Sequence, residues 1–217
     1  MKNRAERFFT PEERQRIVET VQRVEQRTSG EIVPMLVGAA DDYAQAEVVA
    51  GGCFALATAA LLSWQLWNAS LWYFLPAFLL LYLPCRWLLR WLPAVKRSLL
   101  SAAEIDATVT NKALAAFVER GLHHTRDATG ILILICLFEH RVQVLADRGI
   151  NAVVPQDTWD EIVTVISDGI HRGQACDALC RAIERCGDLL AESFPPRPDN
   201  RDELPNLIVE GRPKSEG

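Results

Sequence analysis

VVAGGCFALATAALLSWQLWNASLWYFLPAFLLLYLPC, from Val48 to Cys85, is a run of 38 residues without one charged side chain, inside a chain of 217 residues that is otherwise dense in charge. As a single straight helix it would extend about 57 Å at 1.5 Å per residue, nearly twice the roughly 30 Å of hydrocarbon in a bilayer. It therefore divides. The break falls at Gln65-Leu66-Trp67-Asn68-Ala69-Ser70, where polar and turn-forming residues stand beside Trp64, Trp67, Trp72 and Tyr73, aromatics that favour a membrane interface. Two helices joined by a tight turn result, about Val48 to Trp67 and Leu71 to Trp91. The first is rich in small residues (Gly51, Gly52, Ala55, Ala57, Ala59, Ala60), which let a partner helix approach closely where lipid supplies no hydrophobic drive. The second carries the bulk in its leucines; Pro76 and Pro84 are expected to kink it, and Arg86 and Arg90 can snorkel to the headgroups. A buried hairpin in a soluble core is the competing reading, but about 18 uncharged apolar residues already suggest a span.

The surrounding composition limits the partners. With 23 Lys+Arg against 28 Asp+Glu, a net charge of −5 and 49% hydrophobic residues, a pI near 5.4 and a mean hydropathy of +0.05, the chain is neither disordered nor collagenous. No basic stripe is present, which argues against nucleic acid as a partner. Residues 1–30 mix basic and acidic side chains without an apolar run, so no signal peptide is expected. Arg86, Arg90, Lys96 and Arg97 crowd the exit of the second helix while the turn between the helices has no charge, an asymmetry that predicts two spans in the inner membrane with both termini cytoplasmic. The six cysteines fit a reducing compartment: Cys53 and Cys85 in the spans, Cys136 in an apolar strand, and Cys176, Cys180 and Cys186 in one late helix. A zinc site among the last three would need a fourth ligand that no nearby His or Cys supplies, so packing is their expected role.

Outside the uncharged run the chain reads as a small α/β domain. Thr10-Pro11-Glu12-Glu13 is a capping box with proline at the first helical position, and Ile17, Val18, Val21 and Val24 form one apolar stripe of a helix from about Pro11 to Arg27. A strand Glu31–Val37 follows, and Pro34 predicts that it lies at a sheet edge or is bulged. Leu99 to about Arg126 reads as a helix. Ile131–Phe138 is a continuous apolar run suited to a central strand, and Arg141–Asp147 alternates as a half-solvated antiparallel strand reached through Glu139-His140. Helices of about Gln156 to Arg172 and Ala175 to Ser193 complete the pattern, and the prolines of residues 195–198 begin a tail expected to be extended over the surface or loose. Residues 1–47 and 93–195 then form one discontinuous domain around a mixed sheet, residues 48–92 a membrane hairpin inserted into it, and residues 196–217 an extended tail.

The order of these segments resembles the TPM-domain family, in its bacterial membrane-anchored branch. The matching stretches are Phe9-Thr10-Pro11-Glu12-Glu13, Arg27-Thr28-Ser29-Gly30-Glu31-Ile32-Val33, Gly121–Arg126 with Thr129-Gly130-Ile131-Leu132, Val144-Leu145-Ala146-Asp147 with Gly149-Ile150, and Phe194–Pro198 with Glu203-Leu204-Pro205. The resemblance implies an α/β/α sandwich. For relatives it implies a phosphatase assignment in a thylakoid branch, divalent-cation binding, and accessory roles beside membrane complexes. This chain departs from the many relatives that carry an exported domain, because its apolar hairpin is internal.

Topology decides which polar residues share a site. If the first two strands are parallel, their carboxyl ends and the Glu139-His140 turn gather Asp41, Asp42, Glu139, His140 and Arg141 at the edge nearer the membrane. The opposite, cytosolic edge collects Ser29, Arg126, Asp127, Thr129, Asp147 and Arg148 as a mixed-charge binding surface, together with Thr28 and Glu31. Asp41 and Asp42 are hard-oxygen candidates for Ca²⁺ or Mg²⁺. No phosphate loop, nucleophile elbow or cysteine-based phosphate cradle is legible. Two functions remain: a membrane-tethered binding or accessory module for membrane proteins, and a metal-dependent phosphatase using carboxylates such as Asp127 and Asp147.

Overall fold

A computed structural model describes residues 5–67, 71–91, 97–98, 100–125, 128–196 and 204–211. In chain order the elements are α1 (Pro11–Glu25), β1 (Glu31–Val37), α2 (Ala44–Trp67), α3 (Leu71–Trp91), α4 (Ala102–Glu119), a 3₁₀ turn (Leu122–His124), β2 (Gly130–Cys136), β3 (Arg141–Ala146), α5 (Arg148–Asn151), α6 (Gln156–His171), α7 (Ala175–Ser193) and β4 (Ile208–Glu210). They separate into two compact units, residues 1–41 with 106–217, and residues 42–105.

The first unit is built on a four-stranded mixed sheet in the order β3-β2-β1-β4. β1 and β2 are parallel over their whole length, from Glu31 opposite Gly130 to Val37 opposite Cys136. β3 returns antiparallel to β2. Side chains of one pleat, Ile32, Leu36, Ile131, Ile133, Ile135, Val142 and Val144, pack in a single core with Ile17, Val21 and Val24 of α1, Ile162 and Ile166 of α6, and Leu179, Ile183 and Leu190 of α7. The other pleat includes Val33, Met35, Leu132 and Leu134 and is equally buried. It lies beneath α4, whose Val109, Ala113 and Ala116 are buried and which is tied to both outer strands. Asp106 pairs with Arg141 of β3 at 2.7 Å, and Lys112 pairs with Glu210 of β4 at 3.7 Å. Arg120, just past α4, also pairs with Glu210. The fold is thus an α/β/α sandwich. Because both faces of β1 and β2 are covered, these strands are apolar without alternation, whereas β3, at the rim, alternates.

Helix starts follow local chemistry. The Thr10 N–H donates to Glu13 Oε2 at 2.8 Å and the Glu13 N–H donates to Thr10 Oγ1 at 3.2 Å, closing the capping box expected from the sequence. α1 and α7 run parallel: Arg16–Asp177, Arg23–Glu184 and Arg27–Asp188 are ion pairs at one constant separation of 161 residues. The two helices approach so closely that a Cβ on Gly187 would lie 2.2 Å from Val24 Cγ1.

Three expectations are corrected. Pro34 does not put β1 at the edge of the sheet, since β4 pairs beyond it, from Met35 opposite Ile208 to Val37 opposite Glu210. The proline is accommodated because even-numbered residues of β1 turn their N–H groups toward the β4 side, and β4 begins only after Pro34; the Ile32 N–H on that side donates instead to Glu25 Oε1 at 3.0 Å. The C-terminal tail is not merely extended over the surface, because Ile208–Glu210 adds this fourth strand, with the Gly38 N–H donating to the Glu210 carbonyl at 3.1 Å. The helix after the hairpin stops at Glu119 rather than near Arg126: Gly121 takes a left-handed φ of 74° and the chain continues in the 3₁₀ turn.

In the second unit α2 and α3 pack as an antiparallel pair, with Gly51 so near α3 that a Cβ there would meet Arg86 Cα at 3.2 Å. The buried positions of α2 recur at intervals of four, Gly51, Ala55, Ala59 and Ser63, so the interface is a stripe of small side chains. Large apolar side chains point outward, among them Trp64 at 77%, Trp72 at 87% and Leu80 at 78% exposure. The helix α3 is continuous through Pro76 and Pro84. Among the described residues one stretch, Glu47–Gln65 of α2, is long and apolar enough to cross a membrane, while the apolar part of α3, Phe74–Leu88, is shorter than such a span. Aromatic and proline residues dilute the leucines of α3, and Arg86 and Arg90 occupy its last two turns. The turn residues Asn68, Ala69 and Ser70 lie outside the described residues.

The α1–α7 contact yields a first prediction. Gly187→Ala should lower the stability of the domain by about 1–3 kcal/mol, the usual range for overpacking a filled core, measured as a shifted midpoint in denaturant unfolding followed by circular dichroism.

Candidate functional site

At the amino edge of the sheet, where β1 and β2 begin and β3 ends, hydroxyl groups hold the backbone together. Thr28, fully buried, accepts from the Gly30 N–H at 3.1 Å and donates to the Phe194 carbonyl at 2.7 Å, and the same carbonyl accepts from the Ser29 N–H at 3.0 Å. The end of α7 is thereby fastened to the start of β1. Thr129 donates to the Ser29 carbonyl at 3.3 Å, while its own N–H donates to Thr125 Oγ1 at 3.1 Å. Asp147 precedes α5 as its cap, with Oδ1 accepting from the Arg148 N–H at 2.6 Å, and its own N–H donates to the Gly130 carbonyl at 2.9 Å. The second oxygen of Asp147, Oδ2, is buried and has no partner among the described residues.

The structure therefore brings Ser29, Thr129, Asp147 and Arg148 to one edge, as the topology argument expects. Their exposure differs. Arg148 is exposed and Ser29 and Asp147 are half-buried, but Thr129 is only 1% exposed, its polar atoms turned to the backbone, so it belongs to the support of the surface and not to the surface itself. Arg126 and Asp127 lie outside the described residues. Glu25 is a feature the sequence reading passes over: it sits in the last turn of α1, buried, and spends Oε1 on a β1 amide. Glu31, named for this edge, is also buried. The available signal was that a carboxylate ends the apolar stripe of α1 six residues before another starts the strand.

At the carboxyl edge, Glu139 is buried and accepts from the Ala40 N–H at 2.8 Å, which holds the chain as it leaves β1. Asp41 is exposed and Asp42 half-exposed. Among the described residues no group of three or more His, Cys, Asp or Glu is arranged to hold a metal ion, so the Ca²⁺ or Mg²⁺ reading rests on that adjacent pair alone. Beside the β2–β3 turn is a cavity of about 250 Å³ whose walls include Phe8, Ile135, Leu137, His140, Ser167 and His171. His140 adopts a left-handed φ of 54° to make the turn, and His171 Nδ1 lies 2.7 Å from the Ser167 carbonyl oxygen. The lining is mainly apolar, with two imidazoles, a hydroxyl, Cys136 and Arg141 at hand and no carboxylate among its residues, a composition suited to holding a small molecule. In the 3₁₀ turn, His123 and His124 bring their rings to 3.8 Å between centroids, which the 100° separation of neighbours in a regular helix would prevent.

The class defined by this geometry is a small mixed-sheet α/β sandwich. One solved structure is similar to it: an NMR structure of BA42 protein from the psychrophilic bacterium Bizionia argentinensis, with 23% sequence identity and a TM-score of 0.59, covering 95% of this chain and 97% of that chain. At that identity the likeness shows the fold alone. No family model matches the chain, and no curated protein matches it.

The hydroxyl network makes a second prediction. Thr28→Val keeps the shape but leaves the Gly30 N–H buried without its acceptor, so it should cost about 1–3 kcal/mol, read from thermal or denaturant unfolding of the full chain.

Proposed function

We propose that the chain is an integral inner-membrane protein whose α/β domain, of the TPM kind that its motifs resemble, serves as a cytoplasmic binding or accessory module for membrane-associated partners. The observation that supports this is the apolar surface of the hairpin. The α2–α3 interface is already filled by small side chains, so the large residues pointing outward, Trp64, Trp72, Leu79 and Leu80 among them, need another apolar neighbour. Large apolar side chains exposed together in this way mark a surface that meets another apolar phase, and lipid is the neighbour that fits. The charged residues Glu47, Arg86 and Arg90 stand at one end of the hairpin and aromatic residues at the other. The 24 residues of α2 reach about 36 Å at 1.5 Å per residue, and in this reading α3, with its arginines at headgroup level, is the second span.

Orientation follows from the excess of Lys/Arg after α3. A reporter fused after Gly217 is expected to read cytoplasm and one inserted between Asn68 and Ser70 periplasm; a periplasmic carboxyl terminus would sink the topology.

The binding surface is the amino edge, where Ser29, Asp147 and Arg148 are presented by strand ends and a short helix fixed by the hydroxyl network, with Arg126 and Asp127 as its sequence neighbours. Mixed charge on a rigid support orients a partner more than it drives tight affinity. In cross-linking from intact membranes, Arg148→Glu should remove specific partners while the melting temperature stays within about 2 °C, as for an exposed substitution of small cost. Unchanged partners, or their loss only with unfolding, would defeat the reading. The phosphatase alternative needs convergent carboxylates to hold a metal; Asp147, one of its two candidates, is engaged in capping α5.

A further inference from the structure

The cavity beside the β2–β3 turn is used by none of the roles above. Its walls come from three places in the chain: Phe8 ahead of α1, Leu137 and Val142 on either side of the turn, and Ser167, Ile170 and His171 on one face of α6. Its volume of about 250 Å³ falls just below the roughly 300–1,000 Å³ of sites for drug-sized ligands, so the room is for one ring with a small substituent.

The polar groups narrow the chemistry further. Cys136 and Arg141 stand opposite one another across β2 and β3, on the pleat that faces away from Ile135, Val142 and the α6 side of the core. Arg141 accordingly reaches Asp106 of α4, at 2.7 Å. Neither a guanidinium nor a carboxylate therefore faces the cavity, and a charged ligand would leave water without a fixed countercharge. Ser167 and His171 are four residues apart and so lie side by side. His171 Nδ1 is 2.7 Å from the Ser167 carbonyl; a carbonyl only accepts, so Nδ1 carries the hydrogen and the neutral ring keeps Nε2 as an acceptor. The Ser167 hydroxyl can donate as well as accept.

We propose that this cavity binds a small neutral phenol, with its ring among Phe8, Leu137, Val142 and Ile170 and its hydroxyl between Ser167 and His171. A phenolic O–H completes both partners, donating to His171 Nε2 and accepting from Ser167 Oγ. An aryl ether cannot donate, and a carboxylate, which only accepts, would meet the lone pair of Nε2. Phe8 adds an aromatic wall, against which a second ring gains more than its buried area alone provides.

The test follows 4-fluorophenol by ¹⁹F NMR with the full chain in detergent micelles. Partition into micelles is linear in the probe, so the cavity shows as a saturable part, with a Kd of about 1 mM for a one-ring ligand. 4-Fluoroanisole should bind about 5-fold more weakly, as should 4-fluorophenol to Ser167→Ala, each the equivalent of one neutral hydrogen bond. Acylation by diethyl pyrocarbonate, mapped by mass spectrometry on the unsubstituted chain, removes any dependence on variant folding: 4-fluorophenol should slow it at His171 and leave it unchanged at His123 and His124, which lie outside the cavity. The absence of a saturable part, equal affinity for the anisole, an unchanged Ser167→Ala, tighter binding of 4-fluorobenzoate, or equal protection of all three histidines would overturn the proposal.

Discussion

Parallel pairing of Glu31–Val37 with Gly130–Cys136 is the constraint on which the rest of this structure depends. Two strands that run the same way cannot be joined by a tight turn, so the chain must travel from the carboxyl end of β1 back to the amino end of β2. The return leg is α4, and it covers one face of the sheet as it goes. Everything placed between Val37 and α4 is free of that geometric duty. The apolar hairpin occupies this interval. The same pairing explains why α1, α6 and α7 gather on the opposite face: two strands buried along their whole length, side by side, leave no face that water can wet.

The sequence disclosed those parts whose signal is local. The capping box at Thr10 and Glu13, the apolar run of β2, the alternation of β3 and the bounds of α7 each lie within a few residues of their cause. The fourth strand was not legible, because Ile208-Val209-Glu210 is too short for periodicity to mark it and its partner is Met35–Val37, far away in the chain. Pro34 misled for a related reason. A missing amide hydrogen forbids a ladder bond on one side of a strand only, and whether that side is occupied depends on where its neighbour begins. The candidate surface was legible as a place and less so in its members: topology brings Ser29, Thr129, Asp147 and Arg148 to one edge, but which of them faces outward was settled by backbone groups needing acceptors and donors, and Thr129 was consumed by that need.

Charge in this chain works chiefly at the joints between layers. Glu210 receives both Lys112 and Arg120, so the last strand is secured to the α4 side by its carboxylate as well as by its backbone. The three ion pairs along α1 and α7 are well exposed and add little to stability, because water screens them. Their common register specifies how two parallel helices slide against one another more than it stabilises them, and Gly187 against Val24 permits that one register to close.

The half-covered flank of β1 carries a consequence for the protein at high local concentration. An open strand flank invites neighbouring chains to add to it and begin a growing stack. Here the flank offers no foothold: the Ile32 amide is held by Glu25, Pro34 has none to offer, and the Gly38 amide is taken by the last strand. A neighbouring copy arriving at that flank finds its hydrogen-bond donors already engaged, so this stretch of the sheet does not template the addition of a further strand.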